Sequence, residues 1–366
     1  MELSFHMPTK IYFGADCISK NGAEYSRWGK RALIVTGRNS ARASGALADV
    51  EQVLTQQGME WAVFDQIEEN PTIEMVEAGG QAARRAAADL IIGIGGGSPL
   101  DAAKAIAVLA VNEIPAVSLF DGKFPVRPLP VIAVPLTAGT GSEVTQYSIL
   151  IDAQRQTKRS FSHPDIFPKA AFLDAKYTAS LPWAVTVNTA LDALSHVLEG
   201  YVSKKANILS DSLALEAIAA FGKTLAALSG HSTTPDVRER LLYVSMLGGM
   251  VIAHTGTTMV HSLGYSLTYF RDIPHGRANG LLLAEYLRFI QPEVPARVDA
   301  ILGALGLKSV DEFKTVLQGL LGEIEKLTGK EIEEFSGIAI QAANIANTSR
   351  KPSLEDLKHV LQESLR

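Results

Sequence analysis

Asp192 and His196 stand four residues apart in the apolar run 191–198, which reads as helix. At that spacing two side chains share one helical face. A carboxylate oxygen beside an imidazole nitrogen is half of a site for a first-row metal ion. Such a pair also serves as a cap or a surface contact, so its meaning depends on what the rest of the chain supplies. His261, within 259–264, and His275, within 273–277, are flanked by apolar or small residues rather than by a solvated turn. A lone histidine of either kind is ordinarily a satisfied core residue. With Asp192 and His196 they complete one carboxylate and three imidazoles, a donor set suited to divalent iron or zinc with a position left open.

The other histidines read differently. His231 has a turn composition around it and is expected in solvent, while His163 lies in a Ser-His-Pro-Asp loop and is open to either reading. His6 and His359 lie near the termini without partners at useful spacing. His254 precedes His261 by seven residues, two helical turns, and is expected to pack and hydrogen-bond behind the metal set.

A second chemical feature is the glycine turn. The buried run 89–94 empties into Gly95, Gly96, Gly97 and Ser98, and a helix begins at once, with Pro99 suited to its first turn. Consecutive glycines let backbone approach a ligand closely, and the helix behind them aims unpaired N–H groups and its positive dipole end at an anion. The run departs from the G-x-G-x-x-G fingerprint, because counting from Gly93 the third glycine position holds Ser98. A tight turn without a ligand would use the same residues. The loop 137–142, which carries Thr137 and Thr140, is a second small, hydroxyl-rich, glycine-rich loop after a buried run at 131–135. Two such loops suit a long ligand with several phosphate and ribose groups, as a dinucleotide has.

The elements that must position these residues divide the chain. Between 30 and 180, buried β-rich runs (32–36, 61–64, 89–94, 131–135) alternate with helical stretches at 44–57, from 70 to about 87, and after 98. That rhythm predicts a parallel-rich, Rossmann-like sheet with helices on both faces. From about 180 the strand signals nearly vanish, and helical runs such as 208–228, 238–254 and 280–289 follow one another. The expected organisation is an α/β dinucleotide-binding domain over 1–180 and an all-α metal-binding domain over 181–366.

Composition agrees with an ordinary soluble globular protein. The 366 residues are 47% hydrophobic and 20% charged, with a net charge of −5, which makes no electrostatic case for nucleic acid. No apolar run approaches the length that crosses a bilayer, and no basic run suggests a membrane surface. Residues 1–8 lack the basic and apolar regions of a secretory signal, so a cytoplasmic protein is expected. The single cysteine, Cys17, excludes an intrachain disulfide and reads as a small buried side chain.

Taken together, these motifs resemble the iron-containing (group III) alcohol dehydrogenases over nearly the whole chain. The resemblance implies a dehydroquinate synthase-like architecture. It makes Gly95–Asp101 (Gly95, Gly96, Gly97, Ser98 and Asp101) the pyrophosphate loop, and Thr137 and Thr140 contacts of a second cofactor loop. It places Lys158 close to the nicotinamide, and Asp192, His196, His261 and His275 as metal ligands. It further implies hydride transfer between a small primary alcohol, diol or aldehyde and a nicotinamide, with ferrous iron favoured over zinc, in a homodimer.

Two departures stand out. A histidine that many relatives carry four residues after the third ligand is Tyr265 here. The aspartate with which NAD-preferring relatives bond the adenosine ribose is replaced by Gly37, Arg38, Asn39 and Ser40. A small residue followed by a cation and two hydrogen-bonding side chains would accept a 2′-phosphate, so NADP(H) is expected over NAD(H). Competing readings are a dehydroquinate-synthase-like cyclase and a non-catalytic nucleotide-binding protein. The cyclase needs clustered basic residues for an acidic substrate, whereas Lys158, Arg271 and Arg277 are scattered.

Overall fold

In the computed structural model, which describes residues 3–155 and 157–365, the chain runs through β1 (Lys10–Phe13), α1 (Cys17–Lys20), α2 (Ala23–Ser26), β2 (Arg31–Thr36), α3 (Ser40–Ala43), α4 (Ala46–Gln56), β3 (Glu60–Phe64), α5 (Ile73–Arg85), β4 (Leu90–Gly95) and α6 (Gly97–Leu109). It continues through β5 (Val131–Pro135), β6 (Tyr147–Asp152), β7 (Thr157–Ser162) and β8 (Ala170–Leu173). These belong to one compact unit, formed by Met7–Thr137 and Gly141–Leu181. A second unit takes in Pro182 onward, with Ala138–Thr140 and the stretch ending at His6.

The first unit is built on a six-stranded sheet in the order β1-β8-β5-β4-β2-β3, every pairing parallel. β4 and β5 are buried along their whole length and β2 from Ala32 onward, which is why they read as unbroken apolar runs and take the centre. Their register sets Leu33 beside Ile91 and Ile92 beside Ile132. β1 carries too little apolar pattern to stand out in the sequence, and it pairs with β8 at the sheet edge. The helix expected over 44–57 starts earlier and is broken in two. Gly45, at φ 82°, separates α3 from α4. α5 begins at Ile73 because the Thr72 side chain, not Asn70, accepts from the first-turn Met75 N–H. β6 and β7 form a separate antiparallel hairpin, and Cys17 is buried as expected.

The second unit is helical: α7 (Trp183–Tyr201), α8 (Ile208–Gly222), α9 (Leu225–Ser229), α10 (Pro235–Thr255), α11 (Met259–Arg271), α12 (His275–Ile290), α13 (Pro295–Leu305), α14 (Val310–Leu321), α15 (Gly329–Ala339) and α16 (Leu354–Ser364). The run 208–228 yields two helices, α8 and α9, rather than one. Asn207 opens α8 with a capping box, and Thr328 and Ser353 do the same for α15 and α16. α7 is surrounded by α8, α10 and α12. Glycines allow two of those approaches: a Cβ on Gly200 would lie 2.2 Å from Val251, and one on Gly276 would lie 1.9 Å from the Asn188 carbonyl oxygen. Among the described residues no helix is long and apolar enough to cross a membrane.

Candidate active site

Three helices of the second unit bring chemistry together. Asp192 comes from the middle of α7, His261 from the first turn of α11, and His275 opens α12. α11 ends at Asp272 in the left-handed conformation (φ 51°), and Pro274 precedes α12, so a three-residue turn separates the helices bearing the two histidines. One donor atom each from Asp192, His261 and His275 lies within 4.8 Å of the others. Asp192 Oδ1 is 3.9 Å from His261 Nε2 and 3.7 Å from His275 Nε2. Asp192 and His261 are buried and His275 is partly exposed, so the set is open on the His275 side. His196, expected as a fourth member, lies outside this compact set. Its ring stacks on His261 with centroids 4.8 Å apart and an interplanar angle of 18°. The four-residue spacing does put it on the Asp192 side of α7, but there it packs against an imidazole face.

The donors suit a divalent cation. The Asn279 amide nitrogen lies 2.9 Å from Asp192 Oδ1, 3.2 Å from His261 Nε2 and 3.3 Å from His275 Nε2. An amide has two N–H hydrogens and cannot serve three acceptors at once. Asn279 is fully buried and its Oδ1 makes no hydrogen bond. One small, doubly charged ion would satisfy the three donors better than this amide does.

Glu199, two turns beyond Asp192 on α7, is the site residue that sequence reading missed. Its carboxylate accepts from the Thr258 N–H at 2.8 Å, the Thr258 hydroxyl at 2.6 Å and the Val260 N–H at 3.0 Å, and it is hydrogen-bonded to His261 Nδ1. Burial pushes the Glu199 carboxyl up, but His261 and Thr258 outweigh it and hold the group below its ordinary value. An ionised Glu199 can only accept, so His261 Nδ1 carries the proton and Nε2 keeps its lone pair toward Asp192. The available signal was a charged residue inside an otherwise buried helix, seven after Asp192. Burial likewise raises Asp192, and the imidazoles of His196, His275 and His261 bring it below the usual carboxylate range. His196 is pushed down by burial, which Asp192 only partly offsets. Tyr265 stacks on His275 with centroids 5.5 Å apart and meets His261 edge-on.

His254 does not back the metal set as expected. Its Nε2 accepts from the backbone N–H of His6 at 3.0 Å, and its ring stacks on Phe5 at 3.9 Å. His6 thus has a partner far along the chain that spacing could not reveal.

In the sheet unit, β4 runs into Gly95 and α6 starts at Gly97, with Gly96 as an N-cap that has no capping side chain. The first N–H groups of α6 therefore have no side-chain cap. A Cβ on Gly95 would lie 2.4 Å from the Pro99 ring, and one on Gly96 would lie 3.2 Å from the Thr137 methyl. The glycine turn and the start of the second loop are thus in contact. Gly97, Thr137 and Thr140 are partly exposed, Thr140 grouping with the helical unit. Lys158 is half-buried on β7, opposite Ile151. Ser98 accepts from the Asn70 N–H at 3.1 Å and so also ties down a neighbouring loop.

Two expectations change here. Asp101 is buried within the protein and accepts from Ser142 Oγ at 2.5 Å and the Ile149 N–H at 3.1 Å. An acid four residues after Gly97, behind a glycine turn, looks like a ligand contact by position alone, but the second loop and β6 fold over it. Arg38 is also engaged, pairing with Glu68 at 3.0 Å, although both side chains remain exposed, as do Asn39 and Ser40. Gly37 sits beneath the Ile67 carbonyl, which a Cβ would approach to 3.2 Å. A buried acid that the sequence did not flag, Glu143, is pushed up to about 7 by desolvation.

The comparisons with known proteins cover the same ground. Residues 8–175 match the family described as iron-containing alcohol dehydrogenase, and 186–365 match the C-terminal part of the Fe-containing alcohol dehydrogenase family. The probable alcohol dehydrogenase EutG of Salmonella typhimurium is 34% identical over 348 residues, spanning 93% of this chain and 88% of that protein. The crystal structure of an iron-containing alcohol dehydrogenase from Thermotoga maritima superposes with a TM-score of 0.92 at 37% identity, over 100% of this chain and 99% of that one. A sulfoacetaldehyde reductase from Bifidobacterium kashiwanohense, solved in complex with NAD+, has a TM-score of 0.89 at 27% identity, over 100% and 99% of the two chains. With both parts of the family matched in order, the chain belongs to the iron-containing alcohol dehydrogenase family.

Proposed function

We propose that this protein interconverts small alcohols and aldehydes by hydride transfer with a nicotinamide dinucleotide, using a divalent metal, ferrous iron first and zinc second. The observation that carries the reading is the convergence of Asp192, His261 and His275 on one point within a chain of this family. These three would hold the ion, with His196 adjoining them as a fourth donor. When bound, the metal supplies Lewis-acid stabilisation of negative charge on the substrate oxygen. The protein's own part is positional. Glu199 fixes the His261 tautomer, the Asn279 amide donates to the Asp192 carboxylate at 2.9 Å, and burial of Asp192 keeps water from competing for it. No histidine occupies position 265, and Tyr265, stacked on His275, shapes the wall beside it.

The glycine turn would take the pyrophosphate on the uncapped N-terminus of α6, with Thr137 beside it. Lys158 would lie toward the nicotinamide, as the family resemblance implies. The working assembly under this reading is a cytoplasmic homodimer, which sedimentation of the purified protein tests.

The deciding experiment pairs metal analysis with turnover of a panel of small aldehydes, in wild type and His275→Ala. Wild type should hold about one divalent ion per chain and consume reduced cofactor steadily. His275→Ala should lose the ion, and turnover should fall by on the order of 10²–10³-fold or more. A metal-free variant with full activity would overturn the metal assignment.

NADP(H) is the preferred cofactor in this reading. Its support is the 37–40 segment, which presents a cation, an amide and a hydroxyl and no carboxylate. The exposed Arg38–Glu68 pair is a weak competitor for a phosphate dianion. The NAD+ in the Bifidobacterium reductase is a property of that enzyme. Gly37→Asp should lower the NADPH:NADH ratio of kcat/KM by about tenfold or more, through like-charge repulsion of the 2′-phosphate. An unchanged ratio removes the proposed cofactor preference.

A further inference from the structure

Lys104, on α6, has no exposed surface, yet its ammonium group is fully engaged. It donates to Ser142 Oγ at 2.7 Å, Thr145 Oγ1 at 3.2 Å and the Tyr147 carbonyl at 2.7 Å, and it lies 3.5 Å from Asp101 Oδ1. Asp101, one turn earlier, receives Ser142 Oγ and the Ile149 N–H. Two side chains of one helix therefore grip the 142–149 stretch at four successive points. That helix is the one whose first turn follows the glycine loop.

We propose that Asp101 and Lys104 are positioning residues for the dinucleotide. They touch no ligand; they hold the end of the second loop on α6, so that the glycine turn and Thr137 face the cofactor as one rigid cradle. The proposal rests on reading the glycine turn as the pyrophosphate site. Burial pushes the Asp101 carboxyl up and the Lys104 ammonium down, and the attraction between them offsets part of that cost. Apolar side chains of similar volume would pack here without that cost. What they would lack is direction: several short hydrogen bonds of fixed geometry set the loop's register, which non-directional packing leaves loose.

The test compares Lys104→Met and Asp101→Asn with Ser148→Ala. Ser148 Oγ donates to the Asp101 backbone carbonyl at 2.8 Å in the same buried layer, so its removal touches neither gripping side chain. Cofactor Kd is read by NADPH and NADH fluorescence titration, alongside Tm, metal content, and kcat at saturating cofactor. Lys104→Met and Asp101→Asn should raise Kd and cofactor KM roughly tenfold or more, with kcat within about twofold and metal content unchanged. Ser148→Ala should lower Tm and leave Kd alone. A folded Lys104→Met with wild-type Kd overturns the proposal. So does a Ser148→Ala that raises Kd as much as Lys104→Met. If Lys104→Met does not fold, Thr145→Val, which deletes one of the ammonium's acceptors, replaces it in the same comparison. Wild-type protein that binds neither dinucleotide overturns the parent reading as well, a result distinct from either of these.

Discussion

Gly276→Ala is expected to unseat the metal site without replacing any donor residue. An added Cβ would lie 1.9 Å from the Asn188 carbonyl oxygen, 2.7 Å from its carbon and 2.9 Å from Asp192 Cβ. The obstacle is backbone of α7, so no rotamer change relieves it, and α12 must move away from α7. His275 is the neighbouring residue and Asp192 is on the helix it must leave, so the displacement opens the 3.7 Å gap between them. Overpacking of this kind costs about 1–3 kcal/mol or more, and metal retention should fall by about 10–100-fold. Thermal melting of the metal-free protein and metal content after dialysis check the two parts. Gly319→Ala on α14 is the control, since nothing lies within 4 Å of its added Cβ. It should be neutral or stabilising by about 0.5–1 kcal/mol. If Gly276→Ala keeps its metal and its Tm, the close approach of α7 and α12 does not set the site.

The second large effect is expected from Glu199→Gln, a change of almost no volume. The amide that replaces the carboxylate has one acceptor and one donor end. If its oxygen keeps the Thr258 and Val260 N–H groups, its NH2 faces His261 Nδ1. His261 must then carry its proton on Nε2 and present N–H, not a lone pair, to the set. If the amide turns the other way, its NH2 meets the Thr258 and Val260 N–H donors instead. Either outcome weakens metal binding by about 10–100-fold. Breaking a buried, hydrogen-bonded charge also costs about 3 kcal/mol of stability in the metal-free protein. Competition with a chelator measures the first and denaturant melts the second. Unchanged metal affinity in a folded Glu199→Gln would show that His261 does not depend on this carboxylate for its tautomer.

Much of the architecture was legible in the residues. Central strands of a parallel sheet are buried on both faces, so 32–36, 89–94 and 131–135 were visible as apolar runs, and the glycine turn after β4 marked its helix. The change to an all-helical pattern near 180 was equally plain, because helical periodicity is a local property of the chain. Residue chemistry also singled out Asp192, His261 and His275 as candidates, since a carboxylate and imidazoles in apolar surroundings need a partner.

Packing between segments distant in sequence decided the rest. It stacked His196 on His261 beside the converging donors, and it turned Asp101 toward Ser142 and Ile149. It brought Glu68 to Arg38 and His6 to His254, pairs with no spacing rule to announce them. It also gave Glu199 and Asn279 their places, one behind His261 and one among the donors, although each looked like an ordinary polar residue on a helix. Sequence periodicity tells which face of a helix is buried; only the tertiary structure tells what that face meets, because the partner comes from another helix whose approach is set by contacts such as Gly276 against Asn188.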